Sequence, residues 1–296
     1  AFTTTTPETQ RRVLRNRAVR IATDVRDAFG WNLPFTAALL PADVQRELDR
    51  AGAIEQLGDG LMRSRVRFAT IRGIPYVHSA FPTQSADAVF CGPDTYRFID
   101  LIERTLAAVG GRTIARAVDI GCGAGAGGLV AGRWLARTHG QAPRLQLVDI
   151  NPKALDMARV NAAAFGLANV EFAVSDLYRA VQPGVDLIVA NPPYLVDDGQ
   201  RLYRHGGGAL GAGLSERIVA EGLPLLAPGG RLVLYTGSAI TQGQDLFREA
   251  VLARIDPARF AASYVELDPD VFGEELDRPA YRDVERIAAV ALVVTA

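Results

Sequence analysis

Short apolar runs alternate with helical patterns from about residue 89 onwards. Five of these runs have the length and composition of buried strands: residues 115–120, 145–150, 170–175, 185–190 and 231–236. Apolar residues at helical spacing lie between them, most clearly at 152–165 and 215–226. Strands that alternate with helices in this way predict a parallel sheet covered by helices on both faces, which is the α/β fold class.

The C-terminal end departs from this alternation. Residues 259–267 and 286–294 both have strand patterns, and a polar segment without a long helical pattern joins them. Two strands in succession predict an antiparallel hairpin added to the parallel sheet. We therefore expect a mostly parallel sheet that ends in an antiparallel C-terminal strand.

The first 88 residues carry two helical patterns followed by two strand patterns. The expected elements are a helix at 6–30, a helix at 41–51, a strand at 61–71 and a strand at 75–79. This segment has a net charge of +3, whereas the rest of the chain has a net charge of −4, which suits an acidic partner for the segment. We divide the chain into a small α+β N-terminal recognition domain, residues 1–88, and an α/β domain, residues 89–296.

Three arginines alternate along the first of the two N-terminal strands. Arg63, Arg65 and Arg67 would share one face of a regular strand, because side chains alternate between the two faces. Two interpretations stay open at this point. The arginines either form a solvated face or contact the phosphates of a nucleic acid.

The overall composition limits the classes of protein to consider. The 296 residues are 49% hydrophobic and carry a net charge of −1, so no global basic field attracts nucleic acid or an acidic membrane. Two cysteines provide neither a disulfide framework nor a four-ligand zinc site. The sequence has no signal-peptide core and no run of about 18 apolar residues. We expect a soluble cytoplasmic protein with no membrane partner and no metal.

A glycine-rich loop follows the first strand of the α/β part. Its sequence is Asp119-Ile120-Gly121-Cys122-Gly123-Ala124-Gly125. Glycines let the backbone approach a ligand closely, at the edge where open α/β sheets bind ligands. Gly123, Gly125 and Gly128 also match the G-x-G-x-x-G pattern of dinucleotide-binding proteins, a weak signal alone. Asp119 argues against a dinucleotide, because this carboxylate would repel a pyrophosphate but can bind an ammonium group.

Two further acids follow the next two strands. Asp149 ends the second strand, where a carboxylate can accept hydrogen bonds from both hydroxyls of a ribose. Asp176 follows the third strand and can accept a hydrogen bond from an adenine amino group. Either acid alone could cap a helix. Acids at three successive strand ends favour a site for a nucleoside cofactor.

The fourth strand runs directly into Asn191-Pro192-Pro193-Tyr194. The prolines end the strand and fix a rigid turn, and a simple proline-rich turn is the alternative interpretation. The Asn191 side-chain oxygen and the Pro192 carbonyl can accept the two N–H bonds of a planar amide or amine. Tyr194 can stack on a flat target group. The residue types favour transfer of a methyl group to a planar nitrogen through positioning and electrostatics.

These motifs, in this order, resemble class I S-adenosylmethionine-dependent methyltransferases with an Asn-Pro-Pro-Tyr motif. Residues 89–296 are most similar to the HemK-type protein-glutamine N5-methyltransferases, which modify peptide release factors. The similarity includes a proline-containing segment at 90–96, a glycine-rich stretch at 207–214 and a turn at 226–232. The resemblance implies a catalytic domain with a seven-stranded, mostly parallel Rossmann-like sheet, an antiparallel C-terminal strand, and S-adenosylmethionine as cofactor.

Together the residues and the resemblance define a candidate site. The candidate catalytic residues are Asn191, Pro192 and Tyr194. The candidate cofactor-binding residues are Thr95, Asp119, Gly121, Cys122, Gly123, Gly125, Asp149, Ile150, Asp176, Leu177 and Asn191. The candidate substrate-binding residues are Asn191, Pro193, Tyr194 and His205. For His205 a solvent-exposed position is the alternative, and Asp197 and Asp198 are expected at the mouth of the site.

Three functions stay open from the sequence. The first is methylation of a glutamine side chain in a protein such as a translation factor. The second is methylation of adenine N6 or guanine N2 in ribosomal RNA or another nucleic acid. The third is a nucleotide-binding module without catalysis. The near-neutral charge and the glycine-rich stretch after Tyr194 favour the protein substrate.

Overall fold

The computed structural model describes residues 1–83, 85–108, 112–197, 199 and 201–296. The N-terminal elements are α1 (Pro7–Asn16), α2 (Val25–Phe29), β1 (Phe35–Thr36), α3 (Ala42–Arg50), β2 (Ile54–Gly58), β3 (Leu61–Ser64), β4 (Val66–Ile71) and β5 (Ile74–Ser79). The elements that follow are α4 (Pro93–Ala107), β6 (Arg116–Ile120), α5 (Ala126–His139), β7 (Arg144–Asp149), α6 (Pro152–Ala164), β8 (Val170–Val174), β9 (Val185–Ala190), α7 (Gly213–Gly222), β10 (Leu226–Thr241), β11 (Gln244–Asp245), α8 (Leu246–Leu252), β12 (Ala261–Asp268) and β13 (Arg286–Thr295). Within these described ranges, no helix combines the length and apolar composition needed to cross a membrane.

The large sheet has the strand order β8-β7-β6-β9-β10-β13-β12, and the short β11 pairs with β10. The first five strands in this order run parallel to one another. β13 runs antiparallel to both of its neighbours, β10 and β12. The prediction of an α/β fold with a mostly parallel seven-stranded path and an antiparallel C-terminal strand is confirmed.

The strand order brings the ends of β6 and β9 together at the centre of the sheet. From β6 the chain moves outwards to β7 and β8, and from β9 it moves in the opposite direction to β10. Open α/β sheets bind ligands in the crevice at such a reversal. The loops that follow β6, β7 and β9 therefore converge on one edge of the sheet.

The central strands are apolar throughout because they are buried on both faces. Along β9, Leu187 and Val189 pack in the core that includes α4, α5 and α6. Ile188 and Ala190 alternate with them and pack in the second core, which includes α7 and α8. This double burial fixes the end of β9, and with it the turn that begins at Asn191.

The helix predicted at 6–30 is wrong in its length. α1 ends at Asn16, and α2 begins only at Val25. Arg17 turns away from the helix and pairs with Asp27 in α2, with 2.7 Å between Nη1 and Oδ1. The Asp24 side chain caps α2. Tertiary contacts and a new cap therefore override the helical spacing of apolar residues across this segment.

The single strand predicted at 61–71 is also wrong, since the chain bends at Arg65 between β3 and β4. β3 pairs with β1 and with β2, which the sequence did not predict, whereas β4 forms a hairpin with β5. Arg63 is partly exposed, but Arg67 is buried, and its Nε donates to the Gly30 carbonyl at 2.8 Å. The expectation that Arg63, Arg65 and Arg67 share one face is therefore wrong.

Candidate active site

A cavity of about 750 Å³ lies at the carboxyl ends of the parallel strands. Most of the residues predicted for the site line it: Thr95, Asp119, Gly121, Cys122, Gly123, Asp149, Ile150, Asp176, Leu177, Asn191, Pro192, Pro193, Tyr194 and His205. Gly125 does not line the cavity. It begins α5 with a φ of 90°, and a Cβ there would press on Leu129 and Leu147. Its geometry therefore serves the packing of α5 against the sheet.

The glycine loop after β6 leaves open space on its cavity side. Gly121 and Gly123 have φ values of 64° and 54°, which favour glycine. A Cβ on Gly121 would have no atom within 4 Å, and one on Gly123 would meet only Val89, at 3.8 Å. The loop therefore presents bare backbone to the cavity, and side chains in these positions would fill that space.

Asp119 lies at the end of β6 and is almost completely buried. Its Oδ2 accepts a hydrogen bond from the Gly128 N–H at 2.7 Å. Burial, together with repulsion from Asp149, raises the pKa of Asp119 to about 7. A buried carboxylate that lines a cavity is stabilised in its charged form when a cationic group binds beside it.

Asp149 holds the glycine loop in place and leaves acceptor capacity for a ligand. Its two carboxylate oxygens accept one backbone hydrogen bond each, from Gly123 and from Asn151, both at 2.8 Å. Each oxygen keeps further acceptor capacity. Burial raises the pKa of this carboxyl group. Beside it, Ile150 is 55% exposed, and its apolar side chain lines the cavity.

Asp176 and Leu177 lie where β8 turns towards the next segment. Leu177 has a φ of 49°, a conformation that side chains other than glycine rarely adopt. The Ser175 hydroxyl stabilises this turn by donating to the Leu177 carbonyl at 2.8 Å. Asp176 forms ion pairs with Arg179 and Arg217, at 3.3 and 3.4 Å. The Asp176 carboxylate is therefore shared with two arginines at the rim.

The buried side chain of Tyr194 anchors the Asn-Pro-Pro-Tyr turn to the interior of the protein. The Tyr194 side chain is buried, and its hydroxyl donates to Asp94 Oδ2 at 2.9 Å. Tyr235 in β10 donates to the other oxygen of Asp94 at 2.8 Å. Arg97 pairs with the same carboxylate at 3.2 Å. Tyr194 therefore supports the turn, while part of its ring lines the cavity and lies edge to face with Phe272.

Gly206 and the glycine-rich stretch at 207–214 that follows it pack backbone against backbone on the motif itself. A Cβ on Gly206 would lie 2.7 Å from the Pro193 carbonyl oxygen and 2.8 Å from Tyr194 Cα. A Cβ on Gly211 would collide with the Tyr194 carbonyl group. Only glycine permits this approach, so the stretch fixes the turn from a second side.

An ion network closes the loop between the motif and the glycine-rich stretch. Asp197 binds Arg201 and Arg204, and the hydrogen bonds from Arg201 lower the pKa of Asp197 to about 2. Arg204 continues to Glu275, which also pairs with Arg278 at 3.0 Å. Asp197 is thus buried in a network and is not a free group at the mouth. Asp198 lies outside the described residues.

His205 lies where the two ends of this loop meet, opposite Leu195, and it lines the cavity. Its backbone bridges to Leu195, and the Asp197 backbone N–H donates to its Nδ1 at 3.3 Å. The expected alternative of a fully solvent-exposed histidine does not fit this position, because the residue is partly buried.

Several lining residues were not expected from the sequence. Phe90 and Tyr203 stack with their ring centroids 5.9 Å apart, and the Tyr203 hydroxyl donates to the Thr83 carbonyl at 2.8 Å. α1 contributes Pro7 and Arg11 to the same wall. These residues come from segments far apart in the chain, so no spacing pattern could identify them. Phe90 and Asp94 lay within the proline-containing segment 90–96 that the sequence had indicated.

The arginines of the cavity wall are neutralised within the described structure. Each pairs with at least one carboxylate: Arg11 with Glu8, Arg201 with Asp197, Arg204 with Asp197 and Glu275, and Arg217 with Asp176 and Glu221. The wall therefore offers little uncompensated positive charge. Among the same described residues, no cluster of His, Cys, Asp and Glu is arranged to hold a metal ion.

Known proteins are similar to this chain in sequence and in fold. Residues 85–251 match the family described as methyltransferase small domain. A release factor glutamine methyltransferase of Cereibacter sphaeroides is 39% identical over 175 residues, which are 52% of this chain and 57% of that protein. A ribosomal RNA small subunit methyltransferase C of Chromohalobacter salexigens is 34% identical over 164 residues, which are 54% of this chain and 43% of that protein. The chain spans about half the length of the curated relatives it matches.

One solved structure is similar in fold over most of the chain. A SAM-dependent methyltransferase from Agrobacterium tumefaciens has a TM-score of 0.51 and 16% sequence identity, and the similarity covers 87% of this chain and 79% of that one. At this level of identity the similarity concerns the fold alone.

Proposed function

Because this chain belongs to the methyltransferase small domain family, we propose that it is an S-adenosylmethionine-dependent N-methyltransferase whose acceptor is a glutamine side chain of a protein. One observation carries the proposal. The rigid turn Asn191-Pro192 lines the same cavity as the buried acid Asp119 and the bare glycine loop. Cofactor and acceptor would therefore meet at the end of β9.

The residues of the cavity fit this cofactor. Asp119 is a buried acid that a cationic amino group would stabilise, and Asp149 keeps acceptor capacity for two ribose hydroxyls. Ile150 offers an exposed apolar surface to an adenine ring. The open space in front of Gly121 and Gly123 is where a larger side chain would block a ligand. When bound, the cofactor supplies a methyl group activated by a positively charged sulfur.

The motif residues prepare the acceptor nitrogen. An amide nitrogen is a poor nucleophile because its lone pair is delocalised into the carbonyl group. The Asn191 side-chain oxygen and the Pro192 carbonyl accept its two N–H bonds, which holds the nitrogen in one orientation. The same acceptors would stabilise the positive charge that develops on the nitrogen as the new N–C bond forms and the C–S bond of the methyl donor breaks. The nitrogen would then lose a proton to solvent.

The charge of the cavity wall supports a protein acceptor over a nucleic acid. A phosphate backbone binds through lysines and arginines that lack other partners. Arg201, Arg204 and Arg217 in the wall are paired with carboxylates, and the buried Arg67 is unavailable to phosphates. Arg11 differs from them, because it lies on an exposed helix and pairs there with Glu8 of the same helix. The relatives named release factor glutamine methyltransferase add support for a translation factor as the acceptor. The proposed location is the cytoplasm, where translation factors act.

The N-terminal residues 1–88 would recognise the protein acceptor. α1 contributes Pro7 and Arg11 to the cavity wall, and Arg12 and Arg15 are exposed on the same helix. This helix therefore extends from the cavity to the outer surface, with arginines along it. Such a surface suits an acidic segment next to the modified glutamine.

Labelling of a cell extract tests this proposal. Extract from a strain that lacks the gene is incubated with the purified protein and radiolabelled S-adenosylmethionine, and is then treated with protease or ribonuclease. Label that protease releases and ribonuclease leaves intact is the expected result. Label that ribonuclease releases would establish the nucleic-acid alternative. The absence of any label, with cofactor binding intact, would favour a nucleotide-binding module without catalysis.

A further inference from the structure

The hydrogen bond to His205 defines which ring nitrogen accepts a hydrogen bond from the protein and which one is left to carry the proton. A backbone N–H can only donate, so the bond of 3.3 Å from Asp197 requires an unprotonated Nδ1. In a neutral imidazole the proton then resides on Nε2. Among the described residues, Nε2 has no hydrogen-bond partner, and His205 lines the cavity. The ring therefore presents a donor that the protein itself does not use.

The surroundings hold this ring in a defined place. The His205 backbone N–H donates to the Arg201 carbonyl at 3.0 Å, and the next residue, Gly206, donates to the Leu195 carbonyl at 2.9 Å. Gly206 in turn packs directly on the backbone of Pro193 and Tyr194. The next residue, Gly206, therefore connects the imidazole to the motif turn, through its hydrogen bond to Leu195 and its packing on Pro193 and Tyr194. The imidazole would keep its position relative to Asn191 when a substrate enters.

A planar amide has two kinds of hydrogen-bonding group. Its nitrogen carries two donors, for which Asn191 and Pro192 supply acceptors in the proposed function. Its carbonyl oxygen is an acceptor and needs a donor when it leaves water. The arginines of the wall have carboxylate partners, which leaves the imidazole N–H as a donor available to the carbonyl oxygen.

We propose that His205 is a specificity-determining residue, whose Nε2–H donates a hydrogen bond to the carbonyl oxygen of the acceptor amide. This inference rests on the proposed function, since the oxygen belongs to the glutamine side chain. The contact favours the binding of an acceptor group that carries an oxygen next to the reactive nitrogen. Because the donor is neutral, this hydrogen bond would polarise the carbonyl group only weakly. The amide nitrogen therefore keeps its lone pair for the methyl group.

Two substitutions separate this role from a purely structural one. The amide nitrogen of glutamine can take the position of Nε2, whereas the side-chain oxygen of asparagine can take the position of Nδ1. H205Q therefore keeps the donor into the cavity and loses the acceptor for Asp197. H205N keeps that acceptor and loses the donor. We expect H205N to lower kcat/KM about 10- to 100-fold and H205Q to lower it less than about fivefold.

The variants are compared in the same radiolabelled extract, with cofactor binding measured separately. The opposite order, with H205N active and H205Q impaired, would show that His205 only holds Asp197 and would overturn the proposal. Equal activity or equal loss in the two variants would also overturn it. Label in RNA and none in protein would contradict the proposed function, and with it a contact between His205 and a glutamine carbonyl.

Nuclear magnetic resonance of the ¹⁵N-histidine-labelled protein provides a test that needs no acceptor. The chain has three histidines, and the spectrum of H205Q identifies the signals of His205. The proposal requires an unprotonated Nδ1 and a protonated Nε2 near neutral pH. A proton on Nδ1 would overturn it, even if the wild-type protein labelled nothing in the extract.

Discussion

The hydroxyl of Tyr194 donates a hydrogen bond of 2.9 Å to the carboxylate of Asp94, across 100 residues of the chain. Asp94 lies in the first turn of α4, and Tyr194 ends the motif turn after β9. Tyr235 completes the arrangement by donating to the other oxygen of Asp94. The motif therefore owes its position to a buried carboxylate that is not part of it.

Removal of the Tyr194 hydroxyl tests this support. We expect Y194F to lose about 1 kcal/mol of unfolding free energy and to lower the turnover several-fold, while the dissociation constant of the cofactor stays nearly unchanged. Urea denaturation and the labelling assay measure the two effects. Y178F is the matched control, because Tyr178 is also buried and donates to the Ile218 carbonyl at 2.9 Å. An equal loss of turnover in Y178F would show that the effect is common to buried tyrosine hydroxyls and is not specific to Tyr194.

The pKa of Asp119 predicts how stability and cofactor binding depend on pH. Burial raises this pKa to about 7, above the value of an exposed carboxyl group, so the folded protein binds the proton more tightly than the unfolded chain. The contribution of Asp119 to the stability of the cofactor-free protein therefore falls as the pH rises from about 4 through 7. Cofactor affinity should change in the opposite direction, since an ionised Asp119 is needed for a cationic amino group.

D119N separates these two effects. At pH 8 the variant should have a higher Tm than the wild type without cofactor, and it should bind the cofactor at least about tenfold more weakly. At pH 5 the difference in Tm should be smaller than at pH 8, because the folded wild type then keeps Asp119 protonated. Calorimetric titration and thermal denaturation at both pH values measure this. A wild-type affinity that does not change between pH 5 and 8 would contradict the assigned role.

The glycine-rich stretch predicts a steric result. G206A places a Cβ against the Gly211 carbonyl oxygen, and also against the Pro193 carbonyl and Tyr194 Cα, so we expect a loss of about 1–3 kcal/mol of unfolding free energy and a turnover reduced by tenfold or more. G199A is the control in the same loop, because its Cβ would meet Asp197 Oδ2 at an ordinary 3.5 Å. Wild-type turnover in G206A would show that the motif turn does not depend on this backbone contact.

Substitution of the arginines of α1 is expected to weaken binding of the protein acceptor and to leave cofactor binding intact. The double variant R11E/R15E should raise the KM for the protein acceptor about three- to tenfold, through loss of charge complementarity, and leave cofactor affinity unchanged. R137E is the control, because Arg137 lies in the last turn of α5, near the opposite edge of the sheet. An unchanged KM in the double variant would exclude this helix surface from acceptor recognition.

Much of the fold was accessible from local patterns in the sequence. Apolar runs of strand length alternate with helical spacing because β9 and its neighbours are buried on both faces. Because ligands bind at the carboxyl ends of such strands, the positions of Asp119, Asp149 and Asn191 after strand patterns predict them as site residues. These residues do line one cavity.

The remaining features depend on contacts that no local pattern encodes. The break between α1 and α2 is stabilised by an ion pair between Arg17 and Asp27, and the burial of Arg67 follows from the bend at Arg65. The partnership of Asp94 with Tyr194 joins residues far apart in the chain. In each case tertiary packing decides between conformations that the local sequence permits equally.

Methyl transfer by N191A is the most direct test of the central claim that the motif turn holds the acceptor nitrogen. N169A, an exposed asparagine outside the cavity wall, is the control. We expect N191A to incorporate label at a rate reduced by about 10²–10³ while it still binds S-adenosylmethionine. Turnover of N191A at the rate of N169A and the wild type would contradict the account.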